Sequence, residues 1–403
     1  MTVYLTARNP TDSVTLGLLP AAARLGRPVV LLTDQPDAHE AVYARGAGTP
    51  PVAVVGAEVA DAGALASRVA ALRGRYGPPG ALLSNSDHLQ AATALAAELL
   101  GLPAKPWRAA VRAKNKALMR QRLAAAGLDT VVAVELGPDD PPAFSTFPAV
   151  VKPREGVASE DVVLVGDGPE LVATVAAVRA RRPGAALVVE EYLDGPLLTF
   201  DTLGDGARRR HTGTWRTTLG PPPTFTEVRL DWAPAELAAV REQLDAQLDA
   251  LGVGFGACHT EVVRQGDRVR IIEVNYRLIG DLMDLVTVDV AGVDLFEAVL
   301  RVHAGEPLPD DVGEAADVRR HGRVDYVLAD RAGTLVAAPP DGERQGPGGV
   351  RLGHRRMRAV GVRAPVHGSN RDYLAAVWAT GPDTAAVDVA VDGFREAHEW
   401  RIT

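Results

Sequence analysis

Short runs of β-branched and apolar residues alternate with Ala- and Leu-rich helical patterns over the first hundred residues, and this alternation constrains the fold more than any other feature. The runs predict strands and the patterns between them predict helices: strands at 3–6, 29–32, 52–55 and 81–84, helices at 11–25 and 87–100. Alternating strands and helices form a parallel, doubly wound sheet. The sequence therefore predicts an N-terminal α/β domain over residues 1–105.

Three polar residues follow the fourth predicted strand: Asn85, Ser86 and Asp87. Open α/β sheets bind ligands beyond the carboxyl ends of their strands, so Asn85, Ser86 and Asp87 are candidates for substrate contact. The alternative is that Ser86 and Asp87 only cap the next helix. The first strand–helix turn lacks a Gly-x-Gly-x-x-Gly pattern, which argues against a dinucleotide site.

The pattern changes after a proline-containing connector near residue 105. The next segment predicts a mixed α+β region over 106–310, with a small sheet at about 130–193: helices at 107–126, 169–182 and 234–251, strands at 149–152, 161–165 and 186–191, a hairpin over 197–217, and paired strands at 255–264 and 268–275. The tail, 311–403, predicts short strands, a mobile loop at 339–349 and a last helix near 383–399.

The paired strands that end at residue 275 carry the clearest chemical pattern. Alternate residues of a strand share one face, so Glu273, Asn275 and Arg277 point the same way, and Glu261 lies on the other strand. Two carboxylates and one amide oxygen in one cleft form a set suited to Mg²⁺. Arg277 on that face is suited to a phosphate or a carboxylate. The alternative is a solvated hairpin face, but the apolar residues after Glu261 favour a packed sheet, where unpaired carboxylates are costly.

Lysine is rare in this chain. Of 43 Lys and Arg residues only four are lysines: Lys105, Lys114, Lys116 and Lys152. In a chain that has arginine at most cationic positions, a lysine indicates a position that needs a compact ammonium group. A planar guanidinium would not serve there. These positions are therefore candidates for functional residues, with chance as the alternative for any single one.

Charge and composition weigh against several functional classes. With 51 acidic and 43 basic residues the net charge is −8, which makes nucleic acid a poor partner. The sequence contains no run of 18 apolar residues, so it predicts no membrane-spanning helix. The first residues lack the pattern of a signal peptide. Cys258 is the only cysteine, so an intrachain disulfide and a cysteine zinc site are excluded. We expect a protein of the reducing cytoplasm.

The arrangement Glu261 … Glu273-x-Asn275-x-Arg277 resembles the metal-binding signature of the ATP-grasp superfamily, which includes D-alanine–D-alanine ligase, biotin carboxylase and the L-amino acid ligases. The resemblance implies an ATP-grasp fold: an N-terminal pre-ATP-grasp domain with a parallel sheet, a small central lid domain and a C-terminal mixed-sheet domain. It implies that Glu261, Glu273 and Asn275 hold Mg²⁺, for which Mn²⁺ is a possible substitute. Arg277 would then stabilise the transferring phosphoryl group.

Upstream segments resemble the family's nucleotide site in the expected order. Lys116 matches the first nucleotide-contacting lysine, and Lys152, at a strand end, matches the second, which meets the α- and β-phosphates of ATP. The family's lid is usually glycine-rich, because close backbone approach favours residues without a Cβ. Here residues 156–161 contain a single glycine, and the resemblance gives Ser159 a role at the phosphates.

The segment 188–195 resembles the family's adenine hinge. The resemblance implies that the backbone beside Glu191 and Leu193 binds the base edge and that Glu190 accepts the exocyclic amine. The alternative is an edge strand that ends in acidic residues. Leu197 stands where the family often has a ribose-binding acid, so ribose would be bound by other groups. Glu227, in a segment where related ligases build the acceptor pocket, is a candidate for contact with a substrate amine.

The resemblance implies an ATP-dependent ligase that joins a small carboxylic acid to an amine, such as an amino acid, through an acyl phosphate with release of ADP and phosphate. The composition is typical of genomes in which such ligases serve specialised metabolism. A homodimer is compatible with the analogy. Four alternatives stay open: a carboxylase of the superfamily, a purine-pathway-type ligase, a ligase that loads a carrier protein, and a non-catalytic ATP-binding module.

Overall fold

Four sheets organise the chain in the computed structural model, which describes residues 1–46, 48–128 and 130–403. The first sheet has four parallel strands in the order β3-β2-β1-β4. Its elements are, in chain order, β1 (Thr2–Thr6), α1 (Leu19–Arg24), β2 (Val29–Thr33), α2 (Pro36–Ala44), β3 (Ala53–Gly56), α3 (Ala62–Tyr76), β4 (Pro79–Ser84) and α4 (Gln90–Leu99). The predicted α/β layer is confirmed.

Alternate residues of this parallel sheet pack into two separate hydrophobic cores, because successive side chains of a strand point to opposite faces. Val3, Leu5 and Leu31 pack with α1 on one face, whereas Tyr4 and Val30 pack with α3 on the other. The helix predicted at 11–25 forms in two parts, a π-helical segment at Ser13–Leu18 followed by α1. Both faces of the sheet are therefore covered by helices. Polar side chains of this domain that can reach a ligand lie beyond the ends of the strands.

The helix predicted at 107–126 is two helices, which corrects that prediction. They are α5 (Trp107–Lys114) and α6 (Lys116–Ala125). Asn115 between them is extended, and its side chain accepts the backbone N–H of Leu118 at 3.0 Å. An asparagine N-cap of this kind competes with a continuous helix. As a result Lys116 becomes the first residue of a new helix, and its N–H donates to the carbonyl of Arg154 at 3.1 Å.

A small antiparallel sheet with strand order β5-β8-β6-β7 occupies the region for which a lid was predicted. Its elements are β5 (Ala133–Leu136), β6 (Ala149–Pro153), β7 (Val163–Val165), α7 (Gly168–Arg181) and β8 (Leu187–Glu191). Strand β6 and helix α7 share a core of Val151, Leu171 and Val175. The role of this sheet as a lid stays a prediction.

The largest sheet has ten strands, in the order β14-β13-β9-β11-β12-β15-β20-β18-β17 with β10 paired to β9. Its first part comprises β9 (Leu197–Asp205), β10 (Arg209–Gly213), β11 (Trp215–Leu219), β12 (Glu227–Trp232), α8 (Arg241–Leu251), β13 (Phe255–Gln265), β14 (Arg268–Asn275), α9 (Met283–Ala291) and α10 (Leu295–His303). Residues 234–240 are 3₁₀ rather than α-helical, so the helix predicted from 234 begins at Arg241.

The last ninety or so residues add four strands to this sheet and also form a small sheet of their own. They contribute β15 (His321–Leu328), β16 (Gly333–Ala337), β17 (Gly342–Gln345), β18 (Arg351–Arg356), β19 (Arg363–Ala364), β20 (Tyr373–Gly381), α11 (Thr384–Ala397) and β21 (Arg401–Ile402), of which β19, β16 and β21 form a small three-stranded sheet. The segment predicted as a mobile loop at 339–349 contains β17. Domain boundaries at 105 and 310 stay predictions.

None of the helices in the described ranges combines the length and the apolarity that a membrane-crossing helix requires.

Candidate functional site

The hairpin of β13 and β14 sets the geometry of the site. In its register Glu261 lies opposite Glu273, and His259 lies opposite Asn275. Directly opposed residues project from the same face, so the two glutamates, the amide and the imidazole share one surface. Tyr276 turns the other way and is buried in the core behind the sheet. The hairpin therefore places the side chains as the strand periodicity predicts.

Each glutamate of this pair has a cationic neighbour. Lys116 lies 3.0 Å from Glu273, and Nε2 of His259 lies 3.8 Å from Glu261. His259 is itself held by Asp201, at 2.6 Å from its Nδ1. Burial works to lower the pKa of His259, but Asp201 and Glu261 raise it to about 10, so the ring is an imidazolium.

Glu261 is ionised as a result. Burial alone would raise its pKa, but His259, Lys116 and Lys152 more than offset that effect and lower it. An ionised carboxylate only accepts hydrogen bonds or binds cations. Glu261, Glu273 and Asn275 thus offer oxygen ligands on one face, and this donor set fits Mg²⁺, which binds a few protein oxygens and completes its shell with water or phosphate.

This set includes only two carboxylates. Across the described ranges, no group of three or more His, Cys, Asp or Glu side chains lies close enough together to hold a metal ion. The third oxygen of the set comes from the amide of Asn275.

Lys152 and Glu190 form a buried pair beside the hairpin. Glu190 receives two hydrogen bonds from Arg120, at 2.9 and 3.0 Å, and Lys152 lies 2.7 Å from its second oxygen. Burial would raise the pKa of Glu190, but the two cations lower it to about 2. A bond from an exocyclic amine to Glu190 would therefore have to share an oxygen with Arg120 or Lys152. Its role at the base stays a prediction.

A cavity of about 110 Å³ lies between the small sheet and the largest sheet, and we name it the sheet cavity. It opens between β6 and β8 on one side and the hairpin on the other. Lys116, Lys152, Glu261 and Glu273 lie at its polar end, and its apolar wall comprises Val150, Leu193, Leu197, Leu219, Phe225 and Ile272. An apolar wall that ends in two lysines and two carboxylates offers surfaces for the base and for the charged phosphate chain of a nucleotide.

The segment predicted to bind the base lines this slot. The backbone N–H of Glu191 donates to Val132 at 2.9 Å, so it is not available to a ligand, and the side chain of Glu191 accepts from the N–H of Val132. By contrast, the backbone N–H and C=O of Leu193 have no hydrogen-bond partner among the described residues. Leu193 is therefore the better placed of the two for a base edge. Leu197 lines the cavity as an apolar residue and offers ribose no hydrogen bond.

The loop over 156–161 closes one side of the site. Ala158, Ser159 and Asp161 have positive φ angles of 56°, 54° and 57°. Non-glycine residues reach this region at a cost of about 1 kcal/mol each, so surrounding contacts must hold them. Asp161 pairs with Arg181 and Arg182. Ion pairs thus hold Asp161 in this conformation, and Ser159 lines both the sheet cavity and a second cavity.

This second cavity, the inner cavity, has a volume of about 80 Å³ and lies across the hairpin residues from the sheet cavity. Glu227, Glu261, Glu273 and Ser159 line both cavities, whereas Asn275 and Arg277 line the inner one. Glu261 and Glu273, which lie opposite each other in the hairpin, therefore form a wall that a phosphate chain and an inner-cavity ligand would share.

Glu227 is held in the inner cavity by residues from the C-terminal segment. Its backbone N–H donates to Asn370 at 3.1 Å, and its carboxylate accepts from Tyr373 at 3.3 Å and from Asn370 at 3.4 Å. Burial, followed by the charges of Glu261 and Asp281, raises the pKa of Glu227 above its ordinary range. No local pattern in the sequence links Asn370 and Tyr373 to Glu227, which lies more than 140 positions earlier.

Arg277 connects the hairpin to the parallel sheet. Its guanidinium lies 2.6 Å from Asp87, which follows β4. Burial would raise the pKa of Asp87, but Arg277 lowers it, so the pair is ionic. Asn85 accepts the backbone N–H of Leu278 at 3.1 Å, whereas Ser86 donates its N–H to Ser84. Asn85 therefore supports the Arg277 loop, and its contact with a substrate stays a prediction.

The two remaining lysines also lie around the site. Lys114 donates to the carbonyl of Gly156 in the 156–161 loop at 3.1 Å. Lys105 is buried, donates to Gln90 at 2.8 Å and donates to the carbonyl of Tyr276, next to Arg277. Burial lowers the pKa of Lys105 to about 7. All four lysines thus contact the cavities or the segments that support them.

Comparison with solved structures identifies the architecture. An L-amino acid ligase from Bacillus licheniformis superposes with a TM-score of 0.80 at 20% identity, over 100% of this chain and 99% of the other. A phosphoribosylglycinamide synthetase from Anaerococcus prevotii gives 0.72 at 11% identity over 100% of both chains. A biotin carboxylase from Campylobacter jejuni, solved with βγ-ATP, gives 0.65 at 16% identity over 97% and 91%. The chain has the ATP-grasp fold.

The match spans the whole chain, so all three predicted parts of the ATP-grasp fold are covered by it. No protein-family model matches the sequence, and no curated protein has significant sequence similarity to it. At these identities the neighbours establish the fold, while the chemistry has to be argued from the residues of this ATP-grasp chain.

Proposed function

We propose that the protein is an ATP-dependent ligase that joins a carboxylic acid to an amine through an acyl phosphate. One observation carries the proposal: Glu261 and Glu273 form a wall between two cavities, with Lys116 and Lys152 in the sheet cavity and Arg277 in the inner cavity. A phosphoryl group transferred across such a wall would have cations on both sides of its path.

The sheet cavity would bind ATP, with its base along the apolar wall and its phosphates at the lysines. The carboxylic acid would occupy the inner cavity near Arg277. Mg²⁺, held by Glu261, Glu273 and Asn275, would neutralise phosphate charge and orient the phosphate oxygens. Mn²⁺ as a substitute stays a prediction.

The chemistry follows from the poor leaving group of a free carboxylate. A carboxylate oxygen bonds to the γ-phosphorus of ATP as the bond to the ADP oxygen breaks, which yields an acyl phosphate and ADP. The neutral amine nitrogen then bonds to the acyl carbon, the carbon–oxygen bond to phosphate breaks, and phosphate leaves with that electron pair. The amine gives one proton to solvent. The work of this chain is to position the reactants and to balance charge.

An ADP-release screen tests the proposal. Purified protein is incubated with ATP, Mg²⁺ and pooled carboxylic acids, with and without pooled amines, and ADP, AMP, phosphate and pyrophosphate are measured. We expect ADP and phosphate to form only when both an acid and an amine are present. AMP and pyrophosphate as the products would contradict the acyl-phosphate route.

The same screen separates the alternatives. Turnover with bicarbonate would indicate a carboxylase, as in the biotin carboxylase neighbour, and turnover with a phosphoribosylamine-type acceptor would indicate a purine-type ligase. A mass increase on a carrier protein would indicate carrier loading. Binding of ATP and Mg²⁺ without ADP release from any acid–amine pair would indicate a non-catalytic module.

A further inference from the structure

A third cavity, much larger than the other two, opens next to Arg277. This outer cavity has a volume of about 780 Å³. It shares Asp87, Arg277 and Asp281 with the inner cavity, so the two communicate at the arginine. Neither the ATP site nor the site of the acid needs this space.

The outer cavity lies where a parallel sheet is expected to bind a ligand. Its residues follow the carboxyl ends of β1, β2 and β4: Arg8 and Asn9 after β1, Gln35 after β2, and Asn85, Ser86 and His88 after β4. In the strand order β3-β2-β1-β4 the chain moves to opposite sides of β1, and ligands of doubly wound sheets bind in the crevice at such a switch point. The parallel sheet thus has a ligand position that the ATP site does not use.

Arg8 differs from the other arginines of this cavity. Arg277 is paired with Asp87, Arg355 with Asp12, and Arg371 with Glu160. Arg356 is paired with Asp341. The side chain of Arg8 makes no hydrogen bond to the described residues, and its one ion-pair contact, with Asp34, is long at 3.5 Å.

The backbone at Arg8 is held firmly even though its guanidinium is not. Its carbonyl accepts hydrogen bonds from Thr33 at 3.1 Å and from the buried His39 at 3.0 Å. A fixed backbone and a guanidinium with free donors are suited to bidentate recognition of a planar anion.

We propose that the outer cavity binds the amine substrate and that Arg8 holds an anionic group of that substrate, such as a carboxylate. This inference rests on the proposed ligase function and names the class of acceptor: an amine with a negative charge at its other end, as in an amino acid. The amine end faces Arg277 and Asp281, where the outer and inner cavities meet. The acyl phosphate would be attacked from that side.

The test separates activation of the acid from use of the acceptor. Hydroxylamine traps an acyl phosphate as a hydroxamate and carries no anion, so it requires no contact with Arg8. Proteinogenic L-amino acids serve as acids and as acceptors, and each productive acceptor is compared with its carboxamide. Wild type is expected to favour the free carboxylate by about tenfold or more in kcat/KM, the worth of a charged hydrogen bond.

Arg8→Ala is expected to raise the KM of the carboxylate acceptor by about 10- to 100-fold and to remove the preference over the carboxamide. Hydroxamate formation and the KM values of ATP and acid should not change. Arg8→Lys should restore part of the preference. Arg45→Ala is the matched control, because Arg45 is an exposed arginine at the end of α2 whose side chain, among the described residues, donates to the carbonyl of Ala41 alone.

An unchanged acceptor KM and preference in Arg8→Ala, with normal hydroxamate formation, would overturn the role of Arg8 and leave the ligase function standing. If wild type uses the carboxylate and the carboxamide acceptors equally well, the role of Arg8 is likewise overturned and the ligase function stands. If wild type forms no hydroxamate with any acid and ATP, the ligase function itself fails, and the acceptor site fails with it.

Discussion

The hairpin wall and the outer cavity differ in how their residues come together. The wall is built from two strands joined by a tight turn, so residues only 12 to 16 positions apart meet on one face. The outer cavity collects residues from three strand ends of the parallel sheet and from the β18 region, where Arg355 pairs with Asp12 across 343 positions of the chain. The first arrangement is local and can be recognised in the sequence, whereas the second exists only after folding.

The two regions also use different cations. Compact lysines face the carboxylates of the hairpin wall, and arginines line the outer cavity. An ammonium fits a crowded metal-and-phosphate site, whereas a guanidinium suits a planar anion. We therefore expect substitutions in the wall to abolish turnover and substitutions in the outer cavity to change acceptor use.

The largest effect is expected for Glu273→Gln. The amide keeps the shape of the side chain but loses the charge that pairs with Lys116 and that we propose binds Mg²⁺, so kcat should fall by about 1,000-fold or more, as when a preorganised electrostatic contact is lost. Circular dichroism and the melting temperature should stay close to wild type. Glu343→Gln, at the exposed edge strand β17, is the control. A wild-type rate in Glu273→Gln would remove the distinction between the two regions.

Lys116→Arg tests whether the wall requires lysine. Lys116 is 3% exposed and 3.0 Å from Glu273, so a larger, planar cation does not fit without a shift. We expect the KM for ATP to rise by about 10- to 100-fold, the cost of a misplaced charged contact. Arg216→Lys, an exposed exchange in the other direction, should have no effect. Normal kinetics in Lys116→Arg would contradict the hypothesis that lysine is required at this position.

Asp87→Asn addresses the contact between the two regions. Because Asp87 is ionised and lies 2.6 Å from Arg277, the amide should leave Arg277 less firmly oriented. A fall in kcat of about tenfold is expected, equivalent to one charged hydrogen bond, with little change in KM for ATP. Asp37→Asn, exposed on α2, is the control. An unchanged kcat would show that the regions act independently.

The smallest effect concerns stability at the joint between the parallel sheet and the largest sheet. His303 packs edge-on against Phe255 at 5.1 Å, and burial, followed by the charge of Lys105, lowers its pKa to about 3. The unfolded chain binds this proton below about pH 6.5, so the folded state loses stability as pH falls from there. The loss should reach about 2 kcal/mol at pH 5.

Urea unfolding of wild type and His303→Leu between pH 5 and 8 measures this effect. The variant should show a flatter dependence, while hydroxamate formation at pH 7.5 should be unaffected. Parallel curves for the two proteins would mean that His303 does not titrate on unfolding.

Much of the wall was predictable from the sequence, because strand periodicity and a Gly-Asp turn determine which side chains share a face. The break at Asn115 was missed because its flanks both have helical patterns, and only the N-cap bond interrupts them. Arg120 donates hydrogen bonds to Glu190, and Asn370 accepts one from Glu227. Both contacts join distant segments of the chain, so no local sequence pattern predicts them. The structure was also needed to show that the guanidinium of Arg8 has no close partner among the described residues, because the neighbouring sequence does not indicate this.

The position of β15 limits how the chain can be shortened. Because β12 pairs with β11 on one side and with β15 on the other, a fragment that ends near residue 310 would leave one edge of β12 unpaired. An open edge of this kind invites pairing with other molecules. We therefore expect a fragment without the last ninety or so residues to aggregate and to lose the contacts of Asn370 and Tyr373, so chimeras should exchange these residues together with β9–β14.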